Sequence, residues 1–507
     1  MQAIFDQGPF APPPADFNMA AHVLTHARDM GDKRALSILG QGNDHWTYAQ
    51  LDRAVRGISG GLLARGLTPG AHVLMRLGNN VDFPLAFLGC IAAGLVPVPT
   101  SSQLTAPEIT RMAAVLDPDL IIAGEGIALP DPLPCETLSS ADLHALADHA
   151  PAPFDMGDPN RPAYVIFTSG TSGIARAVTH AHRAIWARRM MHQGWYGISA
   201  DDRLMHAGAF NWTYTLGTGL MDPWSVGATA LIPAPGTPAS ALPWLISDHG
   251  ATIFAAAPGV YRQMMKAELP AFPALRHGLS AGEKLPATTR TNWEKATGTP
   301  IHEAYGMSEC STFVSGGPDH PAPAGTLGYP QVGRRVAVIG EDAPVGFDQP
   351  GTLAISSRDP GLMLGYHGAA EETAAKFNGE WFLTGDTVSM AADGVITYLG
   401  RGDDMMNAGG FRVSPIEVEA AMTAHPGVHE AACAEVSVKA DASVIACFYV
   451  PEDAPVDEGS LTTHAHAQLA HYKCPRLFVP VGALPRGANN KILRRELRAE
   501  FEKGRKG

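Results

Sequence analysis

The sequence has few charged residues and few cysteines for its length. Asp, Glu, Lys and Arg make up 17% of the 507 residues, whereas hydrophobic residues make up 45%, enough for sizeable cores. The six cysteines form no Cys-x-x-Cys pair and no zinc spacing, so we expect neither a disulfide framework nor a structural metal. The uncharged segment of residues 83–107 contains four prolines and no apolar run of about 20 residues. A membrane span is therefore not expected.

Positive charge is also scarce. The 37 Lys and Arg residues stand against 50 Asp and Glu, a net charge of −13, which argues against a nucleic-acid or anionic-membrane surface over the whole chain. The C-terminal end differs, because residues 471–507 hold ten Lys or Arg against three Asp or Glu. The first residues lack the basic start of a secretory signal. We therefore expect a cytoplasmic protein with a local anion site near its C terminus.

Short apolar runs alternate with segments of helical period from about residue 72 to residue 305. The predicted strands are 72–76, 120–124, 163–167, 228–232 and 251–256, and the helical candidates lie around 83–93, 180–195, 239–248, 258–268 and 286–296. This alternation is typical of βα units and mostly parallel sheets. Beyond residue 325, short strands punctuated by Gly and Pro predict a small antiparallel or barrel-like β unit. A boundary near Gly400 predicts domains 1–399 and 400–507.

The strongest local signal follows the strand 163–167. It is a loop of small hydroxyl residues and glycines, followed by a cation, and consists of Thr168, Ser169, Gly170, Thr171, Ser172, Gly173 and, after two further residues, Arg176. Backbone N–H groups and hydroxyls of such a loop can surround phosphate oxygens. The spacing is not that of a Walker A loop. Taken alone, the segment could equally be a surface loop.

Five blocks in a fixed order give this loop its context. They are TSGTSGIARAV (168–178), SAGEKLP (280–286), EAYGMSE (303–309), WFLTGD (381–386) with LGRGDDMMNAGGFRVSPIEVE (399–419), and LPRGANNKILRREL (484–497). Together they resemble the adenylate-forming superfamily of acyl-CoA synthetases, adenylation domains and luciferases, and are most similar to benzoate-type and medium-chain ligases. The resemblance implies two α/β subdomains and a β-barrel-like subdomain in a large N-terminal domain, followed by a small, mobile α+β domain.

The block EAYGMSE carries groups suited to a nucleotide. Tyr305 has an aromatic face for stacking on adenine, and Gly306 would let the backbone come close. The resemblance implies that Ser308 hydrogen-bonds the α-phosphate and that Glu309 holds Mg²⁺, because these are the roles of the family's residues at the two positions. The resemblance also puts Ala281, Gly282 and Glu283 in the adenine pocket. An alternative is that Ser308 and Glu309 simply start a helix.

The later blocks contain the remaining polar positions of the resemblance. Asp386 and Arg401 offer a carboxylate and a guanidinium to the ribose hydroxyls or phosphate, although an Asp after Gly is also a common turn residue. Lys491 would stabilise the charge that develops during adenylation, unless it is one more lysine of a solvated tail. Asp403 matches the hinge of the mobile domain, or is an exposed turn carboxylate. Gly409 and Gly410 match the pantetheine tunnel.

Some positions depart from the family pattern. Arg176 stands where Lys is usual, Ala175 where Pro is common and Ala177 where Gly is common, so we expect altered pyrophosphate handling with activity retained. The acyl-pocket segment 207–217 contains Asn211, Trp212 and Tyr214, which with Gly282 and Gly306 predict a compact pocket for an aromatic or short acid. The two aromatic residues could instead be core residues.

Two rival functions compete with this interpretation. Residues 278–282 fit the Gly-x-Ser-x-Gly elbow of serine hydrolases, with Ser280 as nucleophile, but the preceding residues are too polar for a central strand. A non-catalytic nucleotide-binding protein would not need Glu309, Asp386, Arg401 and Lys491 together. The histidine pairs at 180/182 and 464/466 lack a third ligand at zinc spacing and read as polar helix positions.

The sequence therefore predicts a two-step ligase. A small carboxylic acid reacts with ATP to give an acyl-adenylate and pyrophosphate, and coenzyme A then displaces AMP. Adenylation is needed because a carboxylate is a poor electrophile. The predicted cofactor set is ATP, Mg²⁺ and coenzyme A, with no nucleic acid or membrane partner and a homodimer as the expected assembly. An acyl carrier protein is the alternative acceptor.

Overall fold

The structure is a computed structural model that describes residues 1–40, 44–168, 176–401, 404, 406–408, 411–439, 442–469, 473–487 and 492–504. The chain divides into two compact units. The first comprises Phe5–Val336 and Ile355–Phe382, and the second comprises Met1–Ile4, Ala337–Ala354 and Leu383–Gly507. No helix in the described ranges is long and apolar enough to cross a membrane.

Fifteen α-helices are assigned in the described residues. They are α1 (Met19–Val23), α2 (Tyr48–Ala64), α3 (Asp82–Ala92), α4 (Ala106–Leu116), α5 (Ser140–Ala147), α6 (Ala184–Met191), α7 (Thr213–Leu216), α8 (Asp222–Ser225), α9 (Leu242–Asp248), α10 (Pro258–Met264), α11 (Ala287–Thr297), α12 (Ala370–Ala374), α13 (Pro415–Thr423), α14 (Glu458–Gln468) and α15 (Arg494–Gly504).

The strands in the same residues are β1 (Ile4–Asp6), β2 (Arg34–Leu39), β3 (Asp44–Thr47), β4 (His72–Arg76), β5 (Val96–Pro99), β6 (Leu120–Ala123), β7 (Thr137–Ser139), β8 (Pro162–Thr168), β9 (Arg176–Ala181), β10 (Arg203–Ala207), β11 (Thr229–Pro233), β12 (Ile253–Ala256), β13 (His277–Ala281), β14 (Ile301–Met307), β15 (Ser311–Ser315), β16 (Tyr329–Pro330), β17 (Arg335–Ile339), β18 (Gly351–Ser356), β19 (Gly365–Tyr366), β20 (Phe377–Asn378), β21 (Trp381–Met390), β22 (Ile396–Arg401), β23 (Met406–Ala408), β24 (Phe411–Val413), β25 (Val428–Lys439), β26 (Ala442–Pro451) and β27 (Leu477–Pro480).

The first unit contains two largely parallel sheets. The nine-stranded sheet has the order β16-β15-β14-β13-β12-β10-β11-β2-β3, in which the strands from β14 to β2 are parallel and β3, β15 and β16 are antiparallel additions. The four-stranded sheet β5-β4-β6-β7 is parallel throughout. Strands such as β12 are buried along their whole length, as expected of parallel sheets. The predicted βα pattern is therefore confirmed.

The helix α3 shows why the uncharged segment 83–107 is not a membrane span. Every residue of α3 is buried, and the helix packs on α2, with Leu51, Ile58, Phe83 and Phe87 sharing one core. The chain then enters β5 at Val96. Burial in the core of the first unit, rather than in lipid, accounts for its apolar character.

The predicted helix at 180–195 is wrong at its start. Residues Arg176–Ala181 form β9, which pairs antiparallel with β8 and with β19, and the helix α6 begins only at Ala184. A π-helical turn, His192–Tyr196, then follows α6. His180 and His182, read from sequence as helix positions, therefore precede the helix. The pairing of β9 with strands on both sides extends the strand further than its sequence indicates.

The residues after 325 form a sheet and a C-terminal α+β region. The six-stranded sheet has the order β1-β17-β18-β21-β20, with β22 paired to β21, so the predicted short strands after residue 325 do form a sheet, which β1 from the N-terminal residues joins at one edge. Further along, β25 and β26 form an antiparallel pair with β27 beside β26. Ser414 caps α13 as predicted, since its side chain accepts a hydrogen bond from the amide of Glu417 at 3.3 Å.

Candidate functional site

The hairpin of β14 and β15 carries the block that the sequence assigns to the nucleotide. Tyr305 lies near the end of β14, with its ring edge-on to Phe313 at 5.5 Å. The register shifts between Tyr305 and Gly306. A Cβ atom on Gly306 would lie 2.2 Å from the carbonyl oxygen of Ser311, so only glycine fits. This close approach of the two strands is a reason for the glycine that the sequence did not show.

Ser308 and Glu309 lie in the turn between β14 and β15, so the alternative that they start a helix is wrong. The imidazole Nε2 of His180 donates to the carbonyl oxygen of Ser308 at 2.7 Å. The amide of Met363 donates to the carbonyl oxygen of Glu309 at 2.7 Å. Burial lowers the pKa of His180 to about 4, so the imidazole is neutral at pH 7. The turn is thus held from two sides.

The carboxylate of Glu309 has a specific hydrogen-bond partner. The hydroxyl of Tyr366 donates to its Oε1 at 2.7 Å. Tyr366 itself is 5% exposed, and burial, together with the Glu309 charge, raises the pKa of its phenol. The phenol therefore stays protonated and keeps donating. One carboxylate completed by phosphate oxygens and water is how proteins usually bind Mg²⁺, so Glu309 fits the metal that the resemblance implies.

The predicted phosphate loop joins β8 to β9. Thr168 ends β8 and Arg176 begins β9, and these two residues are direct partners across the antiparallel pair. The guanidinium of Arg176 forms an ion pair with Glu372 at 2.7 Å and lies 5.4 Å from the ring centroid of Tyr366. The intervening predicted residues, Ser169, Gly170, Thr171, Ser172 and Gly173, lie outside the described residues.

The end of β13 holds the next predicted group. Ala281 is buried and ends the strand, while Gly282 follows with φ of +96° and open space where a Cβ would be. Glu283 comes next, before α11. Ser280 is the fourth residue of β13 and is fully buried, whereas a hydrolase nucleophile must be exposed on a turn between strand and helix. The serine hydrolase alternative is therefore wrong.

The predicted acyl-pocket residues Asn211, Trp212 and Tyr214 differ from one another in burial and in contacts. Trp212 is exposed and Asn211 is half-buried. The hydroxyl of Tyr214 donates to the carbonyl oxygen of Leu279 at 3.2 Å, and its ring stacks on Trp195 and meets His206 edge-on, with centroids 5.8 and 4.5 Å away. Tyr214 thus belongs to an aromatic cluster inside the first unit, and Trp212 lies at the surface.

His206 is a residue of this cluster that the sequence analysis missed. Its side chain is buried, and burial lowers the pKa of the imidazole to about 3. Neither ring nitrogen has a hydrogen-bond partner among the described residues. A lone histidine inside an apolar run carries no local signal of such a position. Tyr366 and Glu372 also carry no local sequence signal, because their partners Glu309 and Arg176 lie far away in sequence.

The second unit contains the predicted ribose-binding residues. Asp386 lies in β21, is 7% exposed and accepts a hydrogen bond from the hydroxyl of Tyr398 at 3.3 Å. Arg401 ends β22 and is the direct backbone partner of Asp386. The other residues predicted in this part of the chain lie outside the described residues: Asp403, Gly409, Gly410 and Lys491. Within the described ranges, no group of three or more His, Cys, Asp or Glu forms a metal site.

Two family models match the chain. Residues 23–367 match the model described as AMP-binding enzyme, and residues 417–491 match that of the AMP-binding enzyme C-terminal domain. The chain belongs to the AMP-binding enzyme family. Its predicted fold class, mixed α/β with a large N-terminal and a small C-terminal domain, is confirmed by structural neighbours of this family.

This AMP-binding enzyme has similar relatives along nearly its whole length. A 3-hydroxybenzoate–CoA/4-hydroxybenzoate–CoA ligase of Thauera aromatica is 30% identical over 89% of this chain and 91% of its own length. The human mitochondrial acyl-coenzyme A synthetase ACSM2A is 27% identical over 96% and 91%. The crystal structure of a benzoate CoA ligase from Burkholderia xenovorans LB400 superposes with a TM-score of 0.83 at 29% identity, covering 95% of this chain and 100% of that one.

Proposed function

We propose that this protein is an AMP-forming acid–CoA ligase. The carboxylate of the acid attacks the α-phosphorus of ATP, giving an acyl-adenylate and pyrophosphate. The thiol of coenzyme A then attacks the acyl carbonyl and AMP leaves. The observation that carries this proposal is the contact of one tyrosine, Tyr366, with both Arg176, which we assign to the phosphates, and Glu309, which we assign to Mg²⁺. The relatives named as CoA ligases and as an acyl-coenzyme A synthetase support it.

The proposed roles follow the two units. In the first unit, the loop that runs from Thr168 to Arg176 binds the phosphates, and the hydroxyl of Ser308 donates a hydrogen bond to the α-phosphate. Glu309 would hold Mg²⁺, whose charge offsets that of the phosphates when bound. Tyr305 and Gly306, together with Ala281, Gly282 and Glu283, form the adenine pocket.

In the second unit, Asp386 accepts hydrogen bonds from the ribose hydroxyls and Arg401 assists. Asp386 suits this role because it is nearly buried and oriented by Tyr398. Lys491 stabilises the charge that develops on the attacked α-phosphate. Residues 400–507 rotate about Asp403 between the half-reactions, which brings Gly409 and Gly410 to the pantetheine.

We propose an aromatic acid as the substrate class. The ring of Tyr214, half-buried and packed on the buried rings of Trp195 and His206, is the aromatic surface that we assign to the aryl group, and relatives named for hydroxybenzoates support this choice. Short or medium-chain acids are the alternative. Free coenzyme A is the proposed acceptor and a homodimer the proposed assembly. The cytoplasmic location stays a prediction.

The test is pyrophosphate release from ATP over a panel of aryl, short, medium and branched acids. We expect release only when both a suitable acid and Mg²⁺ are present, with the highest kcat/KM for benzoates. Glu309→Gln should lose activity, because it removes the charge that holds the metal. ATP binding without pyrophosphate release for every acid would contradict the proposal.

A further inference from the structure

Four side chains of the first unit form a continuous series. Glu372 pairs with Arg176 at 2.7 Å, Arg176 lies over the ring of Tyr366 at 5.4 Å, and the hydroxyl of Tyr366 donates to Glu309 at 2.7 Å. The series thus runs from a carboxylate, through a cation and a phenol, to the carboxylate proposed for the metal. Tyr366 contacts both groups that would meet the phosphates.

Backbone contacts fix the position of Tyr366. Its strand β19 pairs antiparallel with β9, with Tyr366 opposite Val178. Its amide donates to Oγ1 of Thr373 at 2.9 Å, and the amide of His367 donates to the carbonyl oxygen of Ala177 at 2.7 Å. The phenol therefore approaches Glu309 from a segment joined to the same strand that begins with Arg176.

The two ends of the series differ in exposure. Tyr366 is buried, so its hydrogen bond to Glu309 is shielded from water. The ion pair is more open, because the side chain of Arg176 is 30% exposed and that of Glu372 is 51% exposed. An exposed carboxylate holds a guanidinium weakly. A polyphosphate carries more charge and can accept the guanidinium in bidentate geometry, so it can displace Glu372.

We infer that Tyr366 is a positioning residue for both Glu309 and Arg176, and that Glu372 is an internal counter-ion which the phosphates of ATP displace. This inference rests on the proposed function. Tyr366 sets the spacing between the metal-binding carboxylate and the phosphate-binding cation before ATP arrives. Glu372 keeps Arg176 extended over the ring in the free enzyme, at the cost of some affinity for ATP.

Calorimetric titration of the full chain with ATP, in the absence of any acid, separates the two roles. Tyr366→Phe keeps the ring beneath Arg176 but removes the hydroxyl, so the Mg²⁺ concentration needed for half-maximal ATP binding should rise about ten-fold, as for a lost hydrogen bond to a charged group. Pyrophosphate binding without Mg²⁺ should stay unchanged in that variant. Tyr366→Leu should weaken both.

Glu372→Gln should bind ATP about two- to five-fold more tightly at low salt, the range expected for an exposed ion pair. This gain in ATP affinity should be smaller in 0.5 M salt, because at that ionic strength charges are screened over about 4 Å. Glu371→Gln is the matched control, because it removes the same charge from the neighbouring position of α12, and it should bind ATP like the wild type.

Two results would overturn the inference. One is an unchanged Mg²⁺ requirement in a folded Tyr366→Phe protein, and the other is equal ATP affinity in Glu372→Gln and Glu371→Gln. If the wild type binds no ATP with Mg²⁺, the inference is lost together with the proposed function. If the wild type binds ATP but the variants match it, only the inference fails. Should Tyr366→Leu not fold, the phenylalanine and glutamine variants still decide.

Discussion

Replacing Gly306 by alanine tests whether the close approach inside the β14–β15 hairpin sets the position of the nucleotide site. The new Cβ would lie 2.2 Å from the carbonyl oxygen of Ser311 and 2.5 Å from the Cα of Thr312, and both are backbone atoms that no side-chain rotation can remove. Favourable non-bonded contacts between carbon atoms need about 3.5 Å. The two strands must therefore separate locally by about 1 Å.

Overpacking of this kind costs about 1–3 kcal/mol. The displaced strands lead directly into the turn with Ser308 and Glu309, so we expect two effects of Gly306→Ala. The free energy of unfolding, from urea titration followed by tryptophan fluorescence, should fall by about 1–3 kcal/mol. The affinity of the folded variant for ATP with Mg²⁺, from calorimetry, should fall by at least about ten-fold, because a 1 Å misplacement at a site can cost that much or more.

A second glycine supplies the control for stability. A Cβ on Gly78 would meet no atom within 4 Å, and this residue is not among those with positive φ. Gly78→Ala should therefore leave the free energy of unfolding unchanged or raise it by up to about 1 kcal/mol, through the unfolded state. If Gly306→Ala unfolds at the same urea concentration as Gly78→Ala and binds ATP like the wild type, the hairpin argument is refuted.

Three further outcomes follow from the site and the core. Lys491→Ala should abolish pyrophosphate release but spare thioester formation from a supplied acyl-adenylate; normal adenylation would remove this residue from the mechanism. Asp222→Asn should lower the free energy of unfolding, measured with urea, by about 3–5 kcal/mol, because the buried cation of Arg188, 2.6 Å away, loses its counter-charge. The double variant Asp222→Leu with Arg188→Met should lower it much less, since no charge is left unpaired. An equal loss of unfolding free energy in the two proteins would contradict this. The free energy of unfolding should be highest above pH 6.5 and decrease towards pH 4. Burial lowers the pKa values of His180 and His206 to about 4 and 3 in the folded chain, so between these pH values only the unfolded chain takes up protons at the two residues. A free energy of unfolding that does not change from pH 7 to pH 5 would contradict this.

Local signals predicted many elements of the fold closely. The strand β4 has the predicted bounds His72–Arg76, because a run of five mainly apolar residues between polar turns is too short for a buried helix and fits a buried strand of a βα unit. The start of α13 is also as predicted, since Ser414 and Pro415 are a capping residue and a first-turn residue with direct backbone consequences. In both cases the deciding interactions lie within a few residues.

The local sequence does not show interactions that distant segments decide. The sequence predicts a helix position for His180, but the pairing of β9 with two other strands holds it extended. For Gly306, close approach of adenine stays a prediction, and the contact with the opposite strand of its own hairpin, which the local sequence does not show, is an additional reason for the glycine. Tyr366 carried no motif, because its partner Glu309 lies 57 residues earlier and only the fold brings them together. Periodicity and propensity do not contain such pairings.

The most direct test of the central claim follows oxygen from the acid. The acid is labelled with ¹⁸O in both carboxylate oxygens and incubated with the enzyme, ATP, Mg²⁺ and coenzyme A, and AMP and pyrophosphate are analysed by mass spectrometry. Attack of the carboxylate on the α-phosphorus, followed by cleavage of the acyl C–O bond, predicts one ¹⁸O atom in each AMP and none in pyrophosphate. Unlabelled AMP, or ADP with ¹⁸O-labelled phosphate, would contradict the account.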